Sequence, residues 1–188
     1  MPCDATISSS MEKEVTTYHL EMLSPAEHRP ASTTPPDFEV RRAGVPLPEL
    51  NRFLYCTVGA GWTWIERLSW SRERWLAYLD RSELETWVAY SMGTPAGYFE
   101  LERQPGENVE LAYFGLIPEF TGRGLGGCLL TRAVERSWAM GPRRVWVHTC
   151  SLDHPRALGN YEARGFKVFR VEREMKEIPD ITGSPWNA

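Results

Sequence analysis

Apolar and polar positions follow two different periods along the chain, and each change of period marks an element. Over 109–117, Val109, Leu111, Tyr113, Leu116 and Ile117 are β-branched, aromatic or apolar, as in a buried strand. Pro118 lacks a backbone donor and ends that ladder. From Leu125 the period becomes helical. Leu125, Leu129, Ala133 and Met140 form one stripe, and Leu130, Val134 and Trp138 form a second. An apolar arc this wide predicts a helix covered on most of its surface.

The same reading predicts a strand at 38–43, a helix at 47–58, and a short helix at 71–79 with Ser71 as N-cap. Strands follow at 85–92 and 96–103, joined by a hairpin turn at Gly93-Thr94-Pro95. A strand at 143–150 should run parallel to 109–117, because a helix crosses between them. Asp153 is the expected N-cap of a further helix, with Pro155 in its first turn and Gly165 at its C-terminal end. The last strand is expected at 166–175.

Residues 1–13 are polar and Ser-rich and are expected to be disordered. Tyr18, Leu20 and Met22 alternate within 15–23, which predicts a strand that adds to a sheet edge or pairs with a second subunit. The stretch 24–36 contains four prolines and reads as an extended linker. The expected organisation is therefore an N-terminal extension (1–36), one folded domain (37–176) and a polar tail (177–188).

Between the strand at 109–117 and its helix lies Thr121-Gly122-Arg123-Gly124-Leu125-Gly126-Gly127, with four glycines in six positions. A helix amino terminus carries unpaired N–H groups and the positive end of the macrodipole. Glycines let the backbone approach a ligand and take positive φ. Together they predict a cradle for a phosphate or pyrophosphate. Gly122-x-Gly124-x-x-Gly127 also matches the dinucleotide fingerprint, but four residues, 118–121, separate strand from glycines, and hairpin strands precede it. A Walker P-loop is excluded, since no Gly-Lys-Ser/Thr follows.

This stretch resembles the acetyl-CoA-binding motif of the GCN5-related N-acetyltransferases, Gln/Arg-x-x-Gly-x-Gly/Ala after a strand ending in an apolar-Pro step. It falls on Thr121-x-x-Gly124-x-Gly126, with Thr in place of Gln or Arg. Arg123, two residues on, is the expected source of the missing charge. A second family motif, Asn-x-x-Ala-x-x-x-Tyr-x-x-x-Gly-Phe, falls on His154, Ala157, Tyr161, Gly165 and Phe166, with His for Asn. The resemblance spans roughly 37–176. It implies an α/β (α+β) fold: a mixed, mostly antiparallel sheet with a central splayed parallel pair and helices on both faces. It also implies that acetyl-CoA is the co-substrate. Phe114, Gly115 and Leu116 would face the pantetheine amides, and Gly122, Gly124, Leu125, Gly126 and Gly127 would face the pyrophosphate. His154 would contact the pantetheine arm or a strand backbone.

Acetyl transfer from a thioester to an amine requires a neutral amine, so a base must take a proton. The oxyanion needs a donor, and the departing thiolate benefits from an acid. Glu110, 11 residues before Thr121, is the candidate base; burial among Val109, Leu111, Ala112 and Tyr113 would raise its pKa. An outward-facing edge charge is the alternative. Tyr161 matches the family tyrosine that protonates the thiolate; a packing residue with a polar tip is the alternative. His148 would orient a water near Glu110 or serve as a satisfied histidine at a sheet end.

Four of the eight tryptophans, Trp62, Trp64, Trp70 and Trp75, fall within 14 residues. In the family, the segment after the first strand lines the acceptor pocket, so Trp62 and Trp64 are candidate walls. Packing of helices onto the sheet is the alternative for any one ring.

A formal charge of −4 and pI of about 5.6 disfavour a nucleic-acid-binding protein and suit a cationic or amine substrate. The four cysteines show no metal spacing, and Cys128 and Cys150 lie in apolar positions. No apolar run reaches spanning length and no secretory leader is visible, which predicts a cytoplasmic protein without a membrane partner. The leading expectation is an N-acetyltransferase of a small primary amine, with a lysine side chain or protein N-terminus as other acceptors. A non-catalytic acyl-CoA-sensing module is the second expectation, and the strand at 15–23 allows a homodimer.

Overall fold

Among the described residues seven strands form one sheet: β1 (Thr6–Met22), β2 (Phe38–Arg42), β3 (Leu84–Ser91), β4 (Thr94–Gln104), β5 (Asn108–Leu116), β6 (Arg144–Cys150) and β7 (Lys167–Thr182). Their order is β2-β3-β4-β5-β6-β1-β7. This computed structural model describes residues 6–182. Every neighbouring pair is antiparallel except β5 and β6, which run parallel. The described residues also form four α-helices: α1 (Pro48–Gly59), α2 (Arg72–Leu79), α3 (Leu125–Ala139) and α4 (Ala157–Ala163). The expected mixed sheet is present.

The alternation of side chains across the strands sorts the core into two layers. On one face, Leu125, Leu129 and Ala133 of α3 pack against Leu20, Phe99, Leu111, Val145 and Val147. On the other, Leu54 and Val58 of α1 pack against Val88, Tyr98 and Ile117. Tyr55 and Trp75 close a third cluster that joins α1 to α2. Ser71 caps α2 as expected, its hydroxyl accepting from the Arg74 amide at 3.2 Å.

The β3–β4 connection falls one residue earlier than expected. Met92 and Gly93 both have positive φ, 52° and 78°, the geometry of a two-residue hairpin loop whose twist matches the strands.

The N-terminal segment departs most from expectation. The strand predicted at 15–23 runs from Thr6 to Met22, so residues 6–13 are strand rather than disordered chain. It is not an edge strand. Thr17–Met22 pair with β6, and β7 pairs along the other side. Leu20 and Met22 are fully buried, so the strand supplies core. β7 likewise extends beyond the expected 166–175 to Thr182. The linker after β1 packs closely: the Arg29 amide donates to the Arg164 carbonyl at 3.0 Å and the Ala31 amide to Thr131 Oγ1 at 2.8 Å. Gly165 has φ 105°, and a Cβ there would lie 2.0 Å from the Glu27 carbonyl oxygen, so only glycine lets the linker cross.

Candidate active site

The parallel pair β5–β6 is joined over only three residues, Asn108↔Arg144, Val109↔Val145 and Glu110↔Trp146. The reason for the separation lies in the β4–β5 register. Glu100 faces Tyr113, but Leu101 faces Leu111, so β5 carries an extra residue at Ala112. A bulge bends its strand and resets the side-chain alternation. Here it falls two residues beyond Glu110, the last residue of β5 paired with β6. It also brings Glu110 and Tyr113 to the same side of β5; both line the cleft.

That cleft has a volume of about 900 Å³, enough for a long ligand together with a second small molecule. At one end lie Thr121, Gly122, Gly124, Gly126 and Gly127. Gly122 and Gly124 have φ of 75° and 78°, and a Cβ at either would meet nothing within 4 Å. α3 begins at Leu125 with no side-chain cap and no acidic residue in its first turn. Its first amides are therefore left to a ligand or solvent. A phosphate fits such a place. Phe114, Gly115 and Leu116 of β5, and His154, line the same cleft.

Leu125 turns its side chain into the core, 3% exposed, and its amide is the first of the uncapped α3 amides. One expected cofactor residue stands elsewhere. The Arg123 guanidinium sits 5.4 Å over the Phe120 ring and does not line the cleft.

Tyr161 of α4 faces the cleft while 5% exposed, its ring 5.9 Å from that of Phe114 and 6.0 Å from that of Phe166. Burial, aided by the nearby Asp153 charge, holds its phenol far above the ordinary tyrosine range. The hydroxyl therefore keeps its proton. Asp153 itself does not cap α4. Its Oδ2 accepts from Thr149 Oγ1 at 2.8 Å and from the Cys150 amide at 2.9 Å, which closes the turn after β6. α4 begins only at Ala157.

Glu110 lies in the cleft wall with its side chain 12% exposed. Gln104 Nε2 donates to its Oε2, and Gln104 Oε1 accepts from Trp146 Nε1 at 2.9 Å. His148 Nδ1 stands 3.4 Å from Glu110 Oε1. The Glu110 carboxylate raises the imidazole pKa of His148 above its ordinary value, against the opposing effect of burial and with help from Asp153 and Glu66.

Of the four clustered tryptophans, Trp62 and Trp64 line the cleft, and Trp62 meets the His154 ring edge-on at 5.0 Å. Trp70 and Trp75 instead pack around Arg67, which the sequence reading did not single out. The Arg67 guanidinium lies 4.0 Å from the ring centroids of both Tyr78 and Tyr113, and 4.8 Å from that of Trp70. Its Nη1 donates to Glu100 Oε2 at 3.0 Å. Glu100 is fully buried and also accepts from Asn51 Nδ2 and Tyr78 Oη. The one trace in the sequence is an acid inside the apolar run Gly97-Tyr98-Phe99-Glu100-Leu101.

Among the described residues no helix is long and apolar enough to cross a membrane.

No curated protein matches the sequence. Solved structures share the fold. A GCN5-related N-acetyltransferase from Sphaerobacter thermophilus is 19% identical, with 92% of this chain and 54% of that chain covered, at a TM-score of 0.65. A putative acetyltransferase from the GNAT family of Novosphingobium aromaticivorans is 17% identical, with 93% and 69% covered, at 0.59. An aminoglycoside acetyltransferase from an uncultured soil metagenomic sample is 16% identical, with 68% and 87% covered, at 0.57. This chain spans 54% to 64% of the length of three longer structures that it matches. The model of the Acetyltransferase (GNAT) family matches residues 50–166, more than half of the 188 residues. With the strand splay, the glycine turn and α3 all inside that match, the chain belongs to the acetyltransferase (GNAT) family.

Proposed function

We propose that this chain transfers an acetyl group from acetyl-CoA to a primary amine of a small molecule. The observation that carries this is one continuous cleft that joins the uncapped amino end of α3 to Glu110 and Tyr161. Glu110 is the base. Its carboxylate takes the proton of the incoming amine, directly or through one water, and Gln104 fixes its orientation. Tyr161, kept protonated by burial, donates to the sulfur that leaves. Phe114, Gly115 and Leu116 present strand backbone to the pantetheine arm. Gly122, Gly124, Gly126 and Gly127 admit the pyrophosphate, and His154 borders the arm under Trp62. Trp62 and Trp64 wall the acceptor end, where Glu66 and Glu110 favour a cation.

Release of free thiol from acetyl-CoA, followed over a panel of small amines and a lysine peptide, tests this reading. Turnover with a small amine supports it. Turnover with the peptide alone moves the acceptor to protein. Tight acetyl-CoA binding without any transfer identifies a sensing module.

His148 gives the reading a pH signature. Below its raised pKa, His148 is charged and pairs with Glu110, which holds the carboxylate away from the amine proton. As pH rises through that pKa the pairing is lost and Glu110 is freed. In kcat/KM against pH, the wild type should therefore show a rising limb above the ordinary imidazole range. His148→Gln should lose that limb. An unchanged limb in the variant would remove His148 from the account.

A further inference from the structure

We propose that Trp146 is a positioning residue for the transfer: through the Gln104 amide, its indole N–H decides which oxygen of Glu110 is left for the amine. This role rests on the reading of Glu110 as the base. Trp146 and Glu110 face each other at the last pairing of β5 with β6, and Glu102 of β4 faces Glu110 from the other side. Gln104, two residues beyond Glu102, shares its side of β4. An indole nitrogen has only a hydrogen to give. Trp146 Nε1 stands 2.9 Å from Gln104 and so bonds the amide oxygen, Oε1. The amide nitrogen is thereby turned to Glu110, where it donates to Oε2. With a donor already there, Oε2 has no place for a further proton. Oε1 is the oxygen left to take the proton of the amine, and its competitor for that oxygen is His148, with Nδ1 at 3.4 Å. Without the indole, the two ends of the amide are of nearly equal size and exchange by half a turn, which would set an oxygen against the carboxylate.

The indole is itself clamped. The His19 ring stacks on it, with centroids 6.4 Å apart and 23° between the planes, and the Arg144 guanidinium lies 5.7 Å from its centroid. Both partners are anchored: His19 Nε2 donates to Glu172 Oε2 at 2.7 Å, and Arg144 Nε donates to Glu21 Oε2 at 2.6 Å. Residues of β1, β6 and β7 therefore fix one N–H that acts on a base carried by β5. The pull of His148 on that base is set by its own surroundings. Glu110, Asp153 after β6 and Glu66 between α1 and α2 favour the charged ring, and His19 faces it from β1. Gln104 holds the carboxylate against that pull. When the donor is lost, the carboxylate passes to His148.

NMR titration of the His148 ring, read beside kcat/KM against pH, tests this in Trp146→Phe and Gln104→Met, each made alone, together and on a Glu110→Gln background. Trp146→Phe keeps an aromatic ring between His19 and Arg144 and removes the donor. Gln104→Met removes the relay and leaves the indole in place. In both single variants His148 should bind its proton about two- to tenfold more tightly, the worth of one hydrogen bond, and the rising limb of kcat/KM should move to higher pH with it. The double variant should go no further than Gln104→Met alone. On the Glu110→Gln background neither change should move His148, because the carboxylate through which they act is gone. An unmoved His148 in both single variants would overturn the proposal. So would an equal movement on the Glu110→Gln background, which would mean that ring packing and not the carboxylate is at work. Full kcat in Glu110→Gln would instead overturn the reading of the base beneath it.

Discussion

Replacing Arg67 with leucine is expected to cost about 3–5 kcal/mol of folding stability, read by denaturant unfolding. The side chains of Arg67 and Glu100 are 7% and 0% exposed, so neither charge is held by water. Removing the guanidinium leaves the Glu100 carboxylate with Asn51 and Tyr78 as its donors among the described residues, inside an apolar sheet face. It also empties the space between Tyr78 and Tyr113. The double variant Arg67→Leu with Glu100→Gln should be more stable than Arg67→Leu alone, because the orphaned charge is gone. Since Arg67 anchors the segment that carries Trp62 and Trp64, the acceptor KM should rise in the single variant. A loss below about 0.5 kcal/mol, as for an ordinary surface change, would contradict the account.

Glu110→Gln should lower kcat by about a hundredfold to ten-thousandfold, the usual contribution of a positioned general base. The amide keeps the size of the carboxylate. Acetyl-CoA affinity should stay within twofold or so of the wild type, because the phosphate end of the cleft is untouched. The same change should return the His148 pKa toward its ordinary value, since its main charge partner is lost. Equal kcat in the variant and wild type would remove Glu110 from the chemistry.

The strand, glycine turn and helix at 108–140 were legible because the period changes from two to 3.6 within one stretch, with the glycines at the junction. The α1, α2, β3 and β4 positions were legible from local pattern in the same way. What was not legible depends on partners far apart in the chain. Residues 6–13 are polar, and their place as a strand comes from backbone pairing with β7, which no side-chain pattern records. Leu20 and Met22 read as half-buried edge positions, yet β6 and β7 flank them on both sides. Arg67 and Glu100 lie 33 residues apart and looked like ordinary charges until the fold enclosed them together. Arg123 was the nearest cation to the glycines in sequence, but a neighbouring ring, Phe120, holds it aside.

The central claim is that the cleft binds acetyl-CoA by close approach to the amino end of α3. Isothermal titration of the wild type and of Gly126→Val with acetyl-CoA, with NADH as control, tests it most directly. A Cβ at Gly126 meets only Asn160 Nδ2 and Leu116 Cδ1, both at 3.8 Å, so the protein itself has room for its first atom. The account predicts saturable binding of acetyl-CoA by the wild type, none of NADH, and at least about tenfold weaker binding in the variant, as its methyl groups block the ligand. Equal affinity in both proteins, or no binding by the wild type, would contradict it.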